Sequence, residues 1–228
     1  MNILSLDTST RLLGVGVLGS NGESASGRFD DDGHSAPLFT RIDQLLSEAG
    51  LSGDNINLLA IVGGPGSFTG LRIGIAGLLG WAEASDIPLQ PIDSFHAIRS
   101  SVPSDRFPVL IVIYSRAEEF YFQTANSPDN YSDPFIGGLD DAVERVESKI
   151  AVVGPGAERF MNLPGCGDSG KFRFSGDSLA ECDMISVCRE AKMMYDYNSK
   201  LADKRSVEPY YMTLSQAQIN FGERERRL

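Results

Sequence analysis

Histidine is scarce in this chain: His34 and His96 are the only two in 228 residues, 62 positions apart (96 − 34). No H-x-x-x-H or H-E-x-x-H spacing exists, which argues against a histidine-based metal hydrolase. Cysteine is equally sparse, with Cys166, Cys182 and Cys188 odd in number and without metal-ligand spacing. A disulfide framework or zinc site is therefore not expected, and reduced structural thiols in a cytoplasm are. Positive charge is in deficit: the formal net charge is −11, against unaided binding to a nucleic-acid backbone, where affinity comes from neutralising phosphates. Long apolar runs are missing too. The longest, Ile73 to Ala82, is far short of a membrane span. No basic stretch precedes the first apolar segment, so no signal peptide is expected.

What is present is an alternation of strand and helix patterns, hence an α/β fold. Ile3 to Asp7 reads as a first strand, Thr8-Ser9-Thr10-Arg11 as a polar turn, Leu12 to Leu18 as a second strand alternating with glycine, and Glu23 to Phe29 as a third. Asp30-Asp31-Asp32 reads as a solvated loop or, with ligands from elsewhere, part of a cation site. His34 then stands at a helix entrance as a capping residue or a ligand. Ser35 can cap that helix, which carries Leu38, Ile42, Leu45, Leu46 and Ala49 at i, i+4, i+7, i+8 and i+11 before Gly50 closes it.

The organising stretch is Gly63-Gly64-Pro65-Gly66-Ser67-Phe68-Thr69-Gly70. It follows a buried strand pattern, Leu58 to Val62, and launches a helix predicted over Leu71 to Ser85. Ser67 or Thr69 can cap it. A glycine-rich turn at a helix N-terminus is either a tight strand-to-helix connection or a phosphate cradle. No lysine follows, so it is not a P-loop. In the helix, Leu71, Ile75, Leu78, Leu79 and Ala82 form one apolar stripe, while Gly70, Gly74, Gly77 and Trp81 line another face. Helix glycines each cost roughly 1 kcal/mol against alanine, so close approach of another backbone is expected to offset them.

The second half echoes the first. Val109 to Tyr114 and Glu119 to Ala125 read as strands, Leu139 to Ser148 as a helix, and Ile150 to Val153 as a strand entering Gly154-Pro155-Gly156, ninety positions after Gly64-Pro65-Gly66 (154 − 64). A duplicated unit follows, with lobes over 1–103 and 104–228. A long helix is expected over Ser178 to Asn198, then a charged tail. Catalytic parts are few. Ser67 has no histidine base placed by the sequence, and G-x-S-x-G is absent. Asp7 could orient a metal-bound nucleotide, and Glu119 could act as a base.

Taken together, Ile3-Leu4-Ser5-Leu6-Asp7-Thr8-Ser9-Thr10, His34-Ser35, Gly64-Pro65-Gly66-Ser67-Phe68-Thr69-Gly70-Leu71-Arg72-Ile73-Gly74 and Val153-Gly154-Pro155-Gly156 resemble the TsaB (YeaZ) family. The likeness is densest over residues 1–100, with Pro209-Tyr210-Tyr211 a later match. It implies an actin/Hsp70/sugar-kinase-like (ribonuclease H-like) duplicated two-lobe fold. It also implies a non-catalytic part in forming N6-threonylcarbamoyladenosine at position 37 of ANN-decoding tRNAs. The catalytic paralogue would be a TsaD-type partner, joined by a TsaE-type ATPase. This subunit would need no cofactor, ATP would be used by its partners, and tRNA would be met only indirectly. Where the family's second-lobe turn reads Asp-Ala-Arg-x-Gly-Glu-Val-Tyr, this chain has Tyr114 in place of the aspartate, against independent nucleotide chemistry.

On this reading the two N-lobe helices form half of a four-helix interface around Leu38, Ile42, Leu45, Gly70, Leu71, Gly74, Ile75 and Leu78. The stripe spacing leaves open which of these face inward. A Gly74→Leu change is expected to block the partner and spare the fold, and without a partner the patch would form homodimers. Asp7, Thr8, Ser9, Gly64, Gly66 and Ser67 would be a vestigial nucleotide loop. The alternative is a small ATP-dependent kinase or ATPase using Asp7 and the Gly64–Gly70 loop; a metal-dependent peptidase fits the histidine count poorly.

Overall fold

A computed structural model of the chain describes residues 1–30, 38–176, 181–197 and 207–212. The expected features at Asp31, Asp32, His34 and Ser35 and the charged tail lie outside them.

Strands β1 (Ile3–Asp7), β2 (Leu13–Leu18), β3 (Ser24–Phe29), β4 (Leu58–Val62) and β5 (Leu89–Ile92) form one sheet in the order β3-β2-β1-β4-β5. The meander β1–β2–β3 is antiparallel, whereas β1, β4 and β5 run parallel. The second sheet repeats this plan with β6 (Val109–Arg116), β7 (Glu119–Ser127), β8 (Asn130–Tyr131), β9 (Phe135–Gly137), β10 (Ile150–Val153) and β11 (Phe172–Phe174). Its order is β11-β10-β6-β7-β8, with β9 also on β7, and β6, β10 and β11 are parallel. Parallel neighbours need crossover helices. These are α1 (Leu38–Glu48) and α2 (Phe68–Ser85) in the first lobe, and α4 (Leu139–Arg145) and α5 (Ala157–Met161) in the second. The remaining helices, α3 (Ser94–Arg99) and α6 (Met184–Tyr197), follow β5 and β11. This is the duplicated, ribonuclease H-like two-lobe fold of the actin-like class.

Strand period two sorts the side chains into three cores. From β4, Leu58, Ala60 and Val62 point to a central core, joined from β6 by Val109, Ile111 and Ile113 and from α6 by Val187, Cys188 and Ala191. The alternate residues Leu59 and Ile61 face an outer core under α1 and α2. On the second sheet Leu110, Val112, Phe120 and Phe122 face an outer core with Phe160 of α5. The repeated Gly-Pro-Gly turns end β4 and β10, and their first glycines share the left-handed region, Gly64 at φ 110° and Gly154 at φ 98°, which a side chain would strain.

Two elements differ from expectation. Helix α2 begins at Phe68, not Leu71, because Ser67 is the cap: its hydroxyl accepts from Gly70 N–H at 3.2 Å. Helix α6 begins at Met184 because Asp183 caps it, its carboxylate accepting from Ser186 N–H at 2.9 Å; the start expected at Ser178 lies outside the described residues. This helix packs on the first lobe, far from its sequence neighbours. Gly14 and Gly16 of β2 make the space: a Cβ at Gly16 would lie 2.7 Å from Met184 Cβ and 2.8 Å from its carbonyl oxygen. Ser5 Oγ donates to that carbonyl at 2.8 Å. Among the described residues no helix is long and apolar enough to cross a membrane.

Candidate functional site

The end of β1, the glycine-rich turn and the segment entering α6 converge between the lobes. Asp7 is 1% exposed. Its Oδ1 accepts from Ser9 N–H at 2.9 Å and Ser9 Oγ at 2.6 Å. Its Oδ2 faces Arg28 Nη1 and Nη2, each at 3.4 Å. Arg28 also donates to the Cys182 carbonyl at 2.6 Å and pairs with Glu181 at 3.3 Å. It comes from β3, in register with Gly14, whose missing side chain leaves room for the guanidinium.

Two carboxylates thus share one guanidinium away from water. Burial works to lower the Arg28 pKa, but the charges of Asp7, Cys182 and Glu181 outweigh it and leave it raised. Burial pushes Glu181 up to about 7, with Asp7 adding to the rise and Arg28 opposing it. Burial, then Asp7, holds the Cys182 thiol well above its usual range. All three cysteines are free and buried, so none is an exposed thiolate.

Two backbone donors of the glycine-rich turn are spent within the chain. Ser67 N–H donates to the Ser9 carbonyl at 2.7 Å, and Gly63 N–H to the Ile92 carbonyl at 2.8 Å. A Cβ at Gly66 would meet the Ser9 carbonyl, and one at Gly64 would lie 2.6 Å from that of Tyr210. The segment 207–212 runs over this turn: Tyr210 N–H donates to the Gly63 carbonyl at 2.7 Å. The Tyr211 ring stacks on Phe68 at 4.8 Å and its hydroxyl accepts from Arg72 Nε at 3.2 Å.

Among the described residues, a small cavity of about 10 Å³ is lined in part by Asp7, Ser9, Ser94, Pro155 and Glu181. That is room for about one water. A magnesium nucleotide, which the actin-like fold implies, does not fit this cavity: its space is too small, and Asp7 is engaged by Ser9 and Arg28. Among the described residues no three His, Cys, Asp or Glu side chains are arranged to hold a metal ion. Glu119 pairs instead with Arg116 at 3.0 Å, and His96 with Glu190 at 2.8 Å. Tyr114 packs edge-on to Phe120 at 5.9 Å beneath the Arg159 guanidinium.

The stripe spacing left open which residues expected at a partner interface face inward, and the structure places them. Leu38, Ile42, Leu45, Ile75 and Leu78 are in the first lobe's outer core, and Leu71 is wholly buried. Of the glycine row, Gly70 and Gly74 face inward, and Gly77 is half-buried beside α1. A Cβ at Gly74 would strike Thr8 Oγ1, and one at Gly70 the Thr8 carbonyl. A Cβ at Gly77 would lie 3.2 Å from Leu38 of α1. The close approach is to the chain's own β1 turn and α1, so Gly74→Leu would disturb the fold it was expected to spare. The outward faces carry other residues. Phe39 of α1 is 47% exposed; on α2, Ala76 and Gly80 are exposed and Ile73 and Gly77 half-buried.

Comparison with known proteins agrees with this architecture. The family model described as TsaD, tRNA N6-adenosine threonylcarbamoyltransferase, matches residues 30–219. The protein TsaB of Haemophilus influenzae, named for tRNA threonylcarbamoyladenosine biosynthesis, is 31% identical over 54% of this chain and 52% of its own length. The Escherichia coli protein of the same name is 28% identical over 57% of each chain. The matched stretch thus spans about half the length of these curated relatives. A solved structure, YeaZ from Pseudomonas aeruginosa, superposes with a TM-score of 0.71 at 20% identity over 92% of this chain and 99% of its own. The fold, the turn sequences around Asp7 and Gly64, and these matches together place the chain in the TsaB (YeaZ) family.

Proposed function

We propose that this chain is a non-catalytic subunit that pairs with a TsaD-type threonylcarbamoyltransferase in forming N6-threonylcarbamoyladenosine at position 37 of ANN-decoding tRNAs. The observation that carries this reading is the state of Asp7. Its carboxylate is held by Ser9 and Arg28 beside a cavity of about 10 Å³, which supports a reading in which Asp7 takes no part in substrate chemistry. The catalytic centre would then belong to the partner. The negative charge of the chain fits an indirect relation to tRNA, held by that partner, and a TsaE-type ATPase would supply nucleotide turnover.

Pairing would use the outward faces of α1 and α2, centred on Phe39, Ile73, Ala76, Gly77 and Gly80. Small side chains let a facing helix approach closely, and Phe39 supplies an apolar anchor. The buried stripe of Leu38, Ile42, Leu71, Ile75 and Leu78 holds these faces rigid from behind. Without the partner, the same surface would pair two copies of the chain. The test is calorimetric titration with the TsaD-type protein, together with nucleoside analysis of tRNA. Gly80→Arg points into open space and is expected to keep the monomer folded while weakening pairing at least about tenfold, a loss of about 1.4 kcal/mol. Unchanged affinity would refute the assigned face; tRNA modification by the isolated chain would refute the non-catalytic role.

A further inference from the structure

We propose that Arg72 and Glu83 are the specificity-determining charges of the pairing face, selecting a partner helix that lies antiparallel to α2 and offers a carboxylate to Arg72 and a cation to Glu83. They are the two charged residues of α2, and both are exposed. They stand eleven positions apart (83 − 72), which at about 100° per residue is about 20° past three full turns. They therefore share one face, about 16 Å apart. Between them on that face lie the small, exposed Ala76 and Gly80. Their order runs against the field of their own helix. Arg72 stands near the amino end, which carries partial positive charge, and Glu83 in the last turn, beside unpaired carbonyls. The first turn has no acid and the last turn no base, so neither charge is placed to steady α2 itself. An antiparallel neighbour reverses the sign at each end, bringing its carboxyl end to Arg72 and its amino end to Glu83. Arg72 is already set for such a contact. Its Nε donates to the Tyr211 hydroxyl at 3.2 Å, and its guanidinium carbon lies 3.9 Å from the centre of the Phe68 ring. Among the described residues its two Nη groups and the Glu83 carboxylate have no hydrogen-bond or ion-pair partner. A guanidinium pinned in this way loses little freedom on pairing and keeps the fork that grips a carboxylate through two parallel bonds.

The inference rests on the pairing reading of the α2 face, and its test separates the two. Association of the full chain with the TsaD-type protein is measured by calorimetric titration at low and high salt. The proteins compared are the native chain, Arg72→Glu, Glu83→Arg, and Arg72→Gln combined with Glu83→Gln. Both side chains are exposed, so all are expected to fold, which thermal unfolding checks. Each charge reversal is expected to weaken association about tenfold or more at low salt. The neutral double variant should bind less tightly than the native chain at low salt and lose most of the native salt dependence. A loss of affinity that is equal at low and high salt marks a merely structural effect and overturns the proposal. Charge variants that bind as the native chain does, while Gly80→Arg binds weakly, overturn it and leave the pairing face intact. If Gly80→Arg also binds as the native chain does, the face itself is wrong and both readings fall. The stripe is its own complement when two copies lie antiparallel, which gives the last outcome. Single reversals that leave the TsaD-type association unchanged but split a pair of copies, with Arg72→Glu and Glu83→Arg together restoring that pair, assign the charges to self-association and overturn the proposal.

Discussion

Alanine at Gly74 and alanine at Gly80 are the same chemical change, six positions apart in one helix, yet they are expected to part company in stability. Each replaces a helix-interior glycine, a gain of about 1 kcal/mol from backbone propensity alone. At Gly80 nothing lies within 4 Å of the new methyl group, so the gain stands and Tm should rise by about 2–4 °C. At Gly74 the methyl group would strike Thr8 Oγ1 and lie 3.1 Å from its Cγ2 and 3.2 Å from its Cβ. Thr8 is fully buried, and its branched side chain has little freedom about χ1. Overpacking of this kind costs about 1–3 kcal/mol, which cancels or exceeds the propensity gain. The two variants should therefore differ by about 1–3 kcal/mol, with Gly80→Ala the more stable. Urea denaturation at matched m values reads the difference directly. If Gly74→Ala equals or exceeds Gly80→Ala, the glycine row does not pack on the β1 turn, and the inward and outward faces of α2 have been exchanged.

Stability should also fall as pH rises from about 4.5 through 7. Glu181 has its folded value raised to about 7, so the folded protein keeps a proton that the unfolded chain has released, and up to about 3 kcal/mol is lost across that window. In Glu181→Gln this part of the pH slope should vanish from the denaturation midpoints. Gly16→Val would drive a side chain into Met184 and is expected to expose the central core, seen as faster amide exchange along β1 and α6. Arg99 is 4% exposed, and donates to Gln123 at 2.7 Å and to the Pro128 carbonyl at 2.8 Å. Arg99→Ala should cost about 1–3 kcal/mol by stranding the buried Gln123 oxygen, measured by equilibrium unfolding. Tyr211→Ala removes a stacked ring and the Arg72 bond; about 1 kcal/mol of destabilisation is expected, with proteolysis near residues 207–212 quickened.

The sheets were legible because their information is local. Leu58 to Val62 and Ile150 to Val153 are apolar throughout, as strands buried on both faces must be, and the two Gly-Pro-Gly turns announced the duplication. The apolar stripes of α1 and α2 were legible as well, but periodicity says only that a face is buried, not by what. Gly70 and Gly74 are spaced as an interhelical seam would be, yet Thr8, more than sixty positions earlier, fills the gap. The cleft was harder. Asp7 stood out at a strand end, whereas Arg28 looked like an ordinary charge on a meander strand and Glu181 like part of a helix. Their meeting depends on α6 returning to the first lobe. The one trace of that return was the glycine at every second position of β2, Gly14 and Gly16, which marks a surface another element must touch.

That return governs how the protein is made. The contact between Ser5 and Met184 spans 179 residues, so part of the first sheet's central face is covered only once α6 has formed. Until α6 docks, Ile3, Ala60 and Val62 lack its share of a central core that also draws on Phe95, Ile98 and Ile111. Completion of the first lobe therefore depends on a segment far along the chain, the kind of non-local contact that slows folding.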